Sequence, residues 1–334
     1  VPPALKNAGF TQVHIVEEQS TPDGDFPTVE SPNPEEAEAL TMAINLANLK
    51  NADMVIGTDP DADRVGIAVR NLKGELELLN GNQAASVLIY YLLEQWQQKG
   101  LLTGKEFIGK TIVTTDLLEK IAEGYNVPCY ECLTGFKWIA DMIRKLEGKM
   151  KFIGGGEESY GYMVSDFVRD KDAVTSAVML AEAAAHAKSM GSSFYQQLVE
   201  VYHRFGFYQE KLISLKREGQ KGAQEIAQMM EDFRSNAPET IVGEKVIAVY
   251  DYQTAQKTNR LTQRVEKIDL PTSNVVQMLT EKGTKITARP SGTEPKIKFY
   301  ISVNQPLENK NEFAQVKQEL NSRIEAITKE LQLG

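Results

Sequence analysis

Three carboxylates stand at alternate positions in the stretch "MVIGTDPDADRVGIAV", residues 54–69. Asp59, Asp61 and Asp63 repel one another unless something cationic sits among them, so the spacing points to chemistry. A loop leaving a strand end can turn alternate carboxylates toward one ion. Mg2+ suits such a set, because it takes oxygen ligands in near-octahedral array and keeps places for water and phosphate oxygens. Arg64 follows at once and offers donors for charge balance or for a phosphate oxygen. Calcium loops share the spacing, although the glycine and distal glutamate of a helix-loop-helix calcium site are absent. A solvated acidic turn between two strands is the plain alternative.

Three further stretches carry candidate groups. In "GGGEESYGYM", residues 154–163, glycines let backbone approach a ligand closely, while Glu157 and Ser159 offer acceptors for adjacent sugar hydroxyls. The neighbouring "VRDKDAV" adds Arg169, Lys171 and Asp172, which also read as a helix start. In "ARPSGTEPKIKFYISV", residues 288–303, Arg289, Ser291, the Gly292 backbone and Thr293 gather the donors that a phosphate dianion takes. Beyond that loop Ile297, Phe299, Ile301 and Val303 alternate toward a core, leaving Lys296 and Lys298 on the other face. In "LTGFKWIA", Lys137 sits in the first turn of a helix where it can reach an anion, while Phe136, Trp138 and Ile139 read as core.

Composition limits the partners. The 334 residues carry a formal charge of −9, which argues against broad binding to nucleic acid or anionic membrane surfaces, so an anionic substrate needs a local basic cluster. No apolar run approaches the ~18 residues of a membrane span, and a cytoplasmic location is the expectation. Cys129 and Cys132 form a C-x-x-C pair, but His14, His186 and His203 lack ligand spacing, so the pair reads as two reduced thiols rather than a zinc or redox site.

Positioning these groups requires an α/β framework. "VPPALKNAGF" reads as the end of a helix stopped by Gly9, and "TQVHIVEE" as the strand after it; an αβ unit with no strand before it is half a unit, and the chain is expected to be the C-terminal part of a longer protein. Asn33, Pro34 and Glu36 predict a capped helix running to about Lys50, followed by strand, Asp loop and strand. "NGNQAASVLIYYLLEQWQQKG" predicts a helix opening a second domain, which continues as strand "TIVTT", helices from Asp116 and Phe136, strand "KFIGG" and helices across 173–204. Strands near 245–250, 275–280, 284–288 and 296–303 precede a closing helix from about 307. The expected fold is α/β, with two mixed α/β sheet domains, the first truncated, followed by a small α+β C-terminal domain. The expected boundaries are 1–79, 80–236 and 237–334.

Taken in order, "TDPDADR", "TGFKW", "GGGEESYGYM…RDKDAV" and "RPSGTEPKIKFYI" resemble the α-D-phosphohexomutase superfamily, most closely its phosphoglucomutase branch. The resemblance implies four domains around a cleft, with a phosphoserine in the first as phosphoryl donor. It implies that Asp59, Asp61 and Asp63 hold Mg2+ with Arg64 beside them. Glu157 and Ser159 match the sugar loop, neighboured by Arg169 and Lys171; Arg289, Ser291, Gly292 and Thr293 match the phosphate grip, and Lys137 a lysine lining the cleft. The implied reaction interconverts glucose 1-phosphate and glucose 6-phosphate through glucose 1,6-bisphosphate. No Ser-His-Asn-Pro type loop occurs in the sequence, so the nucleophile is expected in missing N-terminal domains and these residues alone are expected to be inactive. Pro60 replaces the more usual glycine of the metal loop, which stiffens it. The sugar loop "GEESYG" favours glucose over mannose, while "DPDADR" is shared with phosphopentomutase-like relatives. A haloacid-dehalogenase-like phosphatase, with Asp59 as nucleophile, and a non-catalytic sugar-phosphate binding fragment are the alternatives.

Overall fold

The computed structural model describes residues 1–217, 219–292 and 295–333. The chain divides into two compact units, Val1–Phe205 and Gly206–Gly334.

The first unit opens with α1 (Pro2–Asn7), whose proline at the first turn is pre-set for a helix and whose end passes into Gly9 at φ +96°. The strand expected over "TQVHIVEE" is not formed. Residues 11–16 pair with no described strand and lie mostly exposed, ending in a 3-10 turn at Glu17–Gln19. An apolar alternation makes a strand only where a neighbour completes its ladder. The helix expected from Pro34 also starts later. Asn33 does cap a turn, but Glu36 is extended (φ −94°, ψ 125°), and α2 spans Thr41–Lys50 after a 3-10 turn at Ala37–Leu40.

β1 (Met54–Thr58) and β2 (Val65–Arg70) form an antiparallel hairpin with Thr58 opposite Val65, so residues 59–64 are its loop. β3 (Leu76–Leu78) pairs antiparallel with β2. Val65, Ile67, Ala68 and Val69 are all essentially buried because β2 is covered on both faces, by Leu40 and Ala47 on one and by the helices Ala173–Ser189 (α6) and Phe194–Phe205 (α7) of the same unit on the other. That burial explains the unbroken apolar run.

α3 (Gly81–Gln98) starts in a capping box: Asn80 Oδ1 accepts the Gln83 N–H (2.9 Å), and Gln83 Oε1 accepts the Asn80 N–H (3.0 Å). Residues 81–93 are buried, so this helix runs through the unit's core. There follow β4 (Glu106–Thr111), α4 (Leu117–Gly124), β5 (Cys129–Cys132), α5 (Phe136–Leu146), β6 (Lys151–Gly156), β7 (Tyr162–Val164), α6 (Ala173–Ser189) and α7 (Phe194–Phe205). The sheet order is β5-β4-β6-β7, with β4 parallel to β5 and β6, and β7 antiparallel. The expected strand "TIVTT" is displaced: the ladder ends at Thr111, where Thr114 turns the chain by donating its N–H to the Thr111 carbonyl (3.1 Å) and pairing hydroxyls (2.9 Å). Residues 112–115 are as buried as a strand, hence the likeness.

The second unit contains β8 (Phe207–Lys216), α8 (Gly219–Ser235), β9 (Thr240–Ile241), β10 (Glu244–Asp251), β11 (Gln256–Asn259), β12 (Val265–Lys267), β13 (Val276–Thr280), β14 (Lys285–Pro290), β15 (Lys296–Gln305) and α9 (Phe313–Glu330). Its antiparallel sheet has the order β12-β11-β10-β13-β14-β15-β8, with β9 against β10. Ile297, Phe299, Ile301 and Val303 are no more than 1% exposed, as their alternation predicts. Phe299 meets Phe233 of α8 and Phe207 stacks on Phe313 of α9. The expected boundary at 237 is therefore too late, because β8 pairs with β15 along its whole length and α8 covers the same sheet. The closing helix begins at Phe313, after a 3-10 turn, rather than near 307. The chain is α/β, with one antiparallel and one mixed sheet in the first unit and an α+β second unit.

Candidate functional site

The β1–β2 loop is closed by its own backbone. Asp59 donates its N–H to the Arg64 carbonyl (3.3 Å), Ala62 donates to the Asp59 carbonyl (3.1 Å), and Ala62 adopts φ +56°. Asp59 Oδ1 accepts the N–H groups of Asp63 (3.0 Å) and Arg64 (2.9 Å), which fixes that carboxylate inside the turn. One oxygen from each of Asp59, Asp61 and Asp63 then lies within 4.8 Å of the others. Octahedral Mg2+ places its ligands roughly 3–4 Å apart, so these oxygens would have to draw together to share one ion.

Charge favours the same occupant. Arg64 Nη1 bonds Glu35 Oε1 (3.3 Å), Arg64 Nε stands 3.8 Å from both Asp59 Oδ2 and Asp63 Oδ1, and Lys171 Nζ pairs with Asp63 Oδ2. Four carboxylates against two cations leave two negative charges, the amount a divalent ion neutralises. Partial burial, joined by the charges of Asp63 and Asp61, holds Asp59 above the ordinary carboxylate value, although the Arg64 N–H opposes it. Asp63 is held below that value: burial pushes it up, but Lys171, the hydrogen bond to Asp59 and the Arg64 charge outweigh the push.

Backbone hydrogen bonds stitch this loop to the sugar-loop candidates. Val65 donates to the Tyr160 carbonyl, and Ala173, the first residue of α6, donates to the Ala62 carbonyl, both at 3.0 Å. Glu157 is buried, its N–H bonds the Gly161 carbonyl (2.8 Å), and its Oε1 accepts the Gly135 N–H (2.7 Å) ahead of Lys137. Ser159 occupies the turn between, half-buried. The preceding glycines serve packing rather than ligand approach. A Cβ on Gly155 would lie 2.1 Å from the Gly109 carbonyl oxygen, and one on Gly156 would lie 2.7 Å from the Gly161 carbonyl oxygen.

The structure thus brings Asp59, Asp61, Asp63, Arg64 and Lys171 into one cluster, tied to the segment bearing Glu157 and Ser159. Lys137 is exposed, with Nζ 5.2 Å from the Trp138 ring, and Arg169 pairs with Glu147 (2.7 Å) after α5. Glu35 escaped the sequence reading because its segment looked like a helix start. The phosphatase alternative required the Asp loop to open its own core; here the loop closes an antiparallel hairpin instead.

In the second unit, Arg289 lies opposite Lys298 in the β14–β15 ladder, and Lys296 lies opposite Lys216. Like charges placed directly opposite destabilise a sheet, and an anion relieves them. Ser291 donates its N–H to the Lys296 carbonyl (2.7 Å), closing the turn that carries Gly292; Thr293 lies outside the described residues. Lys216 was missed because β8 was not expected.

The family models described as phosphoglucomutase/phosphomannomutase, alpha/beta/alpha domain II and domain III match residues 1–74 and 80–202. A phosphoglucomutase of Staphylococcus aureus is 40% identical over 97% of this chain and 57% of its own length. One of Staphylococcus epidermidis is 41% identical over 91% and 55%. The chain therefore spans about half the length of the curated relatives it matches. Among solved structures, the open form of the exocytosis-sensitive phosphoprotein pp63/parafusin (phosphoglucomutase) from Paramecium shares the fold at TM-score 0.59 and 18% identity, covering 90% of this chain and 50% of that one.

Proposed function

The chain belongs to the phosphoglucomutase/phosphomannomutase family, and from that premise we propose that it supplies the metal loop, sugar loop and phosphate grip of a phosphoglucomutase. The reaction moves a phosphoryl group between a serine outside these 334 residues and glucose 1-phosphate or glucose 6-phosphate, through glucose 1,6-bisphosphate. The observation that carries this reading is the Asp59–Asp61–Asp63 loop, two charges short of balance and hydrogen-bonded through Val65 and Ala62 to the flanks of the Glu157–Ser159 segment.

Phosphoryl transfer demands mainly positioning and charge stabilisation. Bound by Asp59, Asp61 and Asp63, Mg2+ would withdraw charge from the phosphoryl oxygens. Arg64 would direct a guanidinium edge toward the same oxygens, and Lys171 would balance charge at Asp63. Glu157 and Ser159 present acceptors for sugar hydroxyls. In the second unit, Arg289, Ser291 and Gly292, with Lys298 opposite Arg289 and Thr293 of the same loop, supply donors for the phosphate that is not reacting. Such a grip reads the dianion and not the ring, so either phosphate of the bisphosphate suits it.

The test is turnover by the complete gene product on glucose 1-phosphate, mannose 1-phosphate and ribose 1-phosphate, with Mg2+ and a trace of sugar bisphosphate. Preference for glucose 1-phosphate is expected. Turnover of mannose or ribose phosphate in preference would reassign the substrate, and turnover of none would reduce the chain to a sugar-phosphate binding protein.

A further inference from the structure

Glu35 reaches the metal loop from a segment that its neighbours hold rigidly. Asn33 Oδ1 accepts the Glu35 N–H (3.2 Å), and the Asn33 carbonyl accepts the Glu36 N–H (3.0 Å). Pro34 lies so close to β2 that a Cβ on Gly66 would come 2.4 Å from the Pro34 carbonyl oxygen. The glutamate is therefore delivered to Arg64 by a backbone with little freedom of its own.

What it does there follows from three distances. Arg64 Nη1 bonds Glu35 Oε1 at 3.3 Å, while Nε stays 3.8 Å from Asp59 Oδ2 and 3.8 Å from Asp63 Oδ1, beyond hydrogen-bond reach. A guanidinium free to choose beside two carboxylates closes on them at about 2.7–2.9 Å as a charge-assisted pair. Doing so here would occupy the oxygens that a divalent ion needs.

We propose that Glu35 is a positioning residue that anchors one edge of Arg64 and so holds the guanidinium back from Asp59 and Asp63, keeping their oxygens available to the cation. The assignment rests on the reading that the three aspartates take a divalent ion. Glu35 touches neither substrate nor ion in this role; it acts through Arg64.

Mn2+ binding to the 334-residue chain, followed by the loss of the free-ion electron paramagnetic resonance signal, tests it without any turnover. Glu35→Gln is expected to weaken Mn2+ binding roughly tenfold, in the range typical of groups that orient a metal's ligands. In an Arg64→Gln background the same change is expected to have no further effect, since there is no guanidinium to restrain; that double variant also controls for folding, because a structural defect from Glu35→Gln would persist in it. Glu35→Asp keeps the charge but is one methylene too short, so it is expected to bind as weakly as Glu35→Gln. Equal losses with and without Arg64 would show that Glu35 acts by its own charge or through the fold and not through Arg64, and full affinity in Glu35→Asp would show that its reach to Arg64 does not matter; either result would overturn the assignment. Failure of the unsubstituted chain to bind Mn2+ would overturn the cation reading and the assignment together.

Discussion

Cys129 and Cys132 show how little a suggestive spacing means without its surroundings. Both thiols are free, at the two ends of β5, and the Cys132 thiol donates to the Lys110 carbonyl (3.5 Å). Burial is the main cause that pushes each up to about 12, with nearby carboxylates adding to it and the Lys110 charge opposing it. The thiolate is the reactive form, so iodoacetamide at pH 8.5 is expected to label the native chain at least about a hundredfold more slowly than the urea-unfolded chain. Comparable rates would show that β5 opens readily. The linked effect on stability has a definite sign. Well below the unfolded thiol value of about 9 the thiols are protonated in both states and contribute nothing to pH dependence. Between pH 9 and 12 the unfolded thiols lose protons that the folded ones keep, so stability falls as pH rises through that window.

At the scale of elements, the parallel pair β4–β6 depends on glycine at the point of closest approach. Gly155 faces Gly109 in register, and any Cβ on Gly155 meets backbone that cannot move aside. Gly155→Ala is expected to cost about 1–3 kcal/mol, read as a lower urea midpoint with an unchanged slope. A midpoint equal to that of the unsubstituted protein would mean that the strands separate at little cost. The elements legible in the sequence were those whose signal is local. The two strands flanking the Asp loop, the helix opening near residue 80 and the alternation of Ile297 to Val303 each announce themselves within a few residues. The misread elements depend on distant partners. β8 alternates weakly, with Lys211 and Leu212 both exposed, and is a strand because β15 lies beside it. Residues 11–16 alternate better and form no ladder. In the candidate site the same division holds: the aspartates and Lys171 were legible as candidates, whereas Glu35, which bonds Arg64 across 29 residues, was not, nor was the pairing of Lys171 with Asp63 across more than a hundred.

For the whole molecule, the division after Phe205 has a direct consequence. The second unit owns a sheet with helices α8 and α9 packed on it, which is a complete core by itself. A chain comprising residues 206–334 is expected to fold alone, with a cooperative thermal transition by circular dichroism. One comprising 237–334 lacks β8 and α8, leaves β15 as a bare edge and uncovers Phe299, and is expected to be unfolded or aggregated. Cooperative unfolding of the shorter chain would restore the boundary at 237.

The bonds from Ala173 to Ala62 and from Val65 to Tyr160 also set a schedule for the ribosome. The Asp loop emerges early, but the residues that complete its frame are made about a hundred codons later. At ~5–20 residues per second, that gap lasts on the order of ten seconds. During it the three aspartates are a solvated acidic turn, the plain alternative with which the sequence began. The loop acquires its full frame only once α6 has been synthesised, so translation itself delays the framing of the three aspartates until most of the first unit exists to surround them.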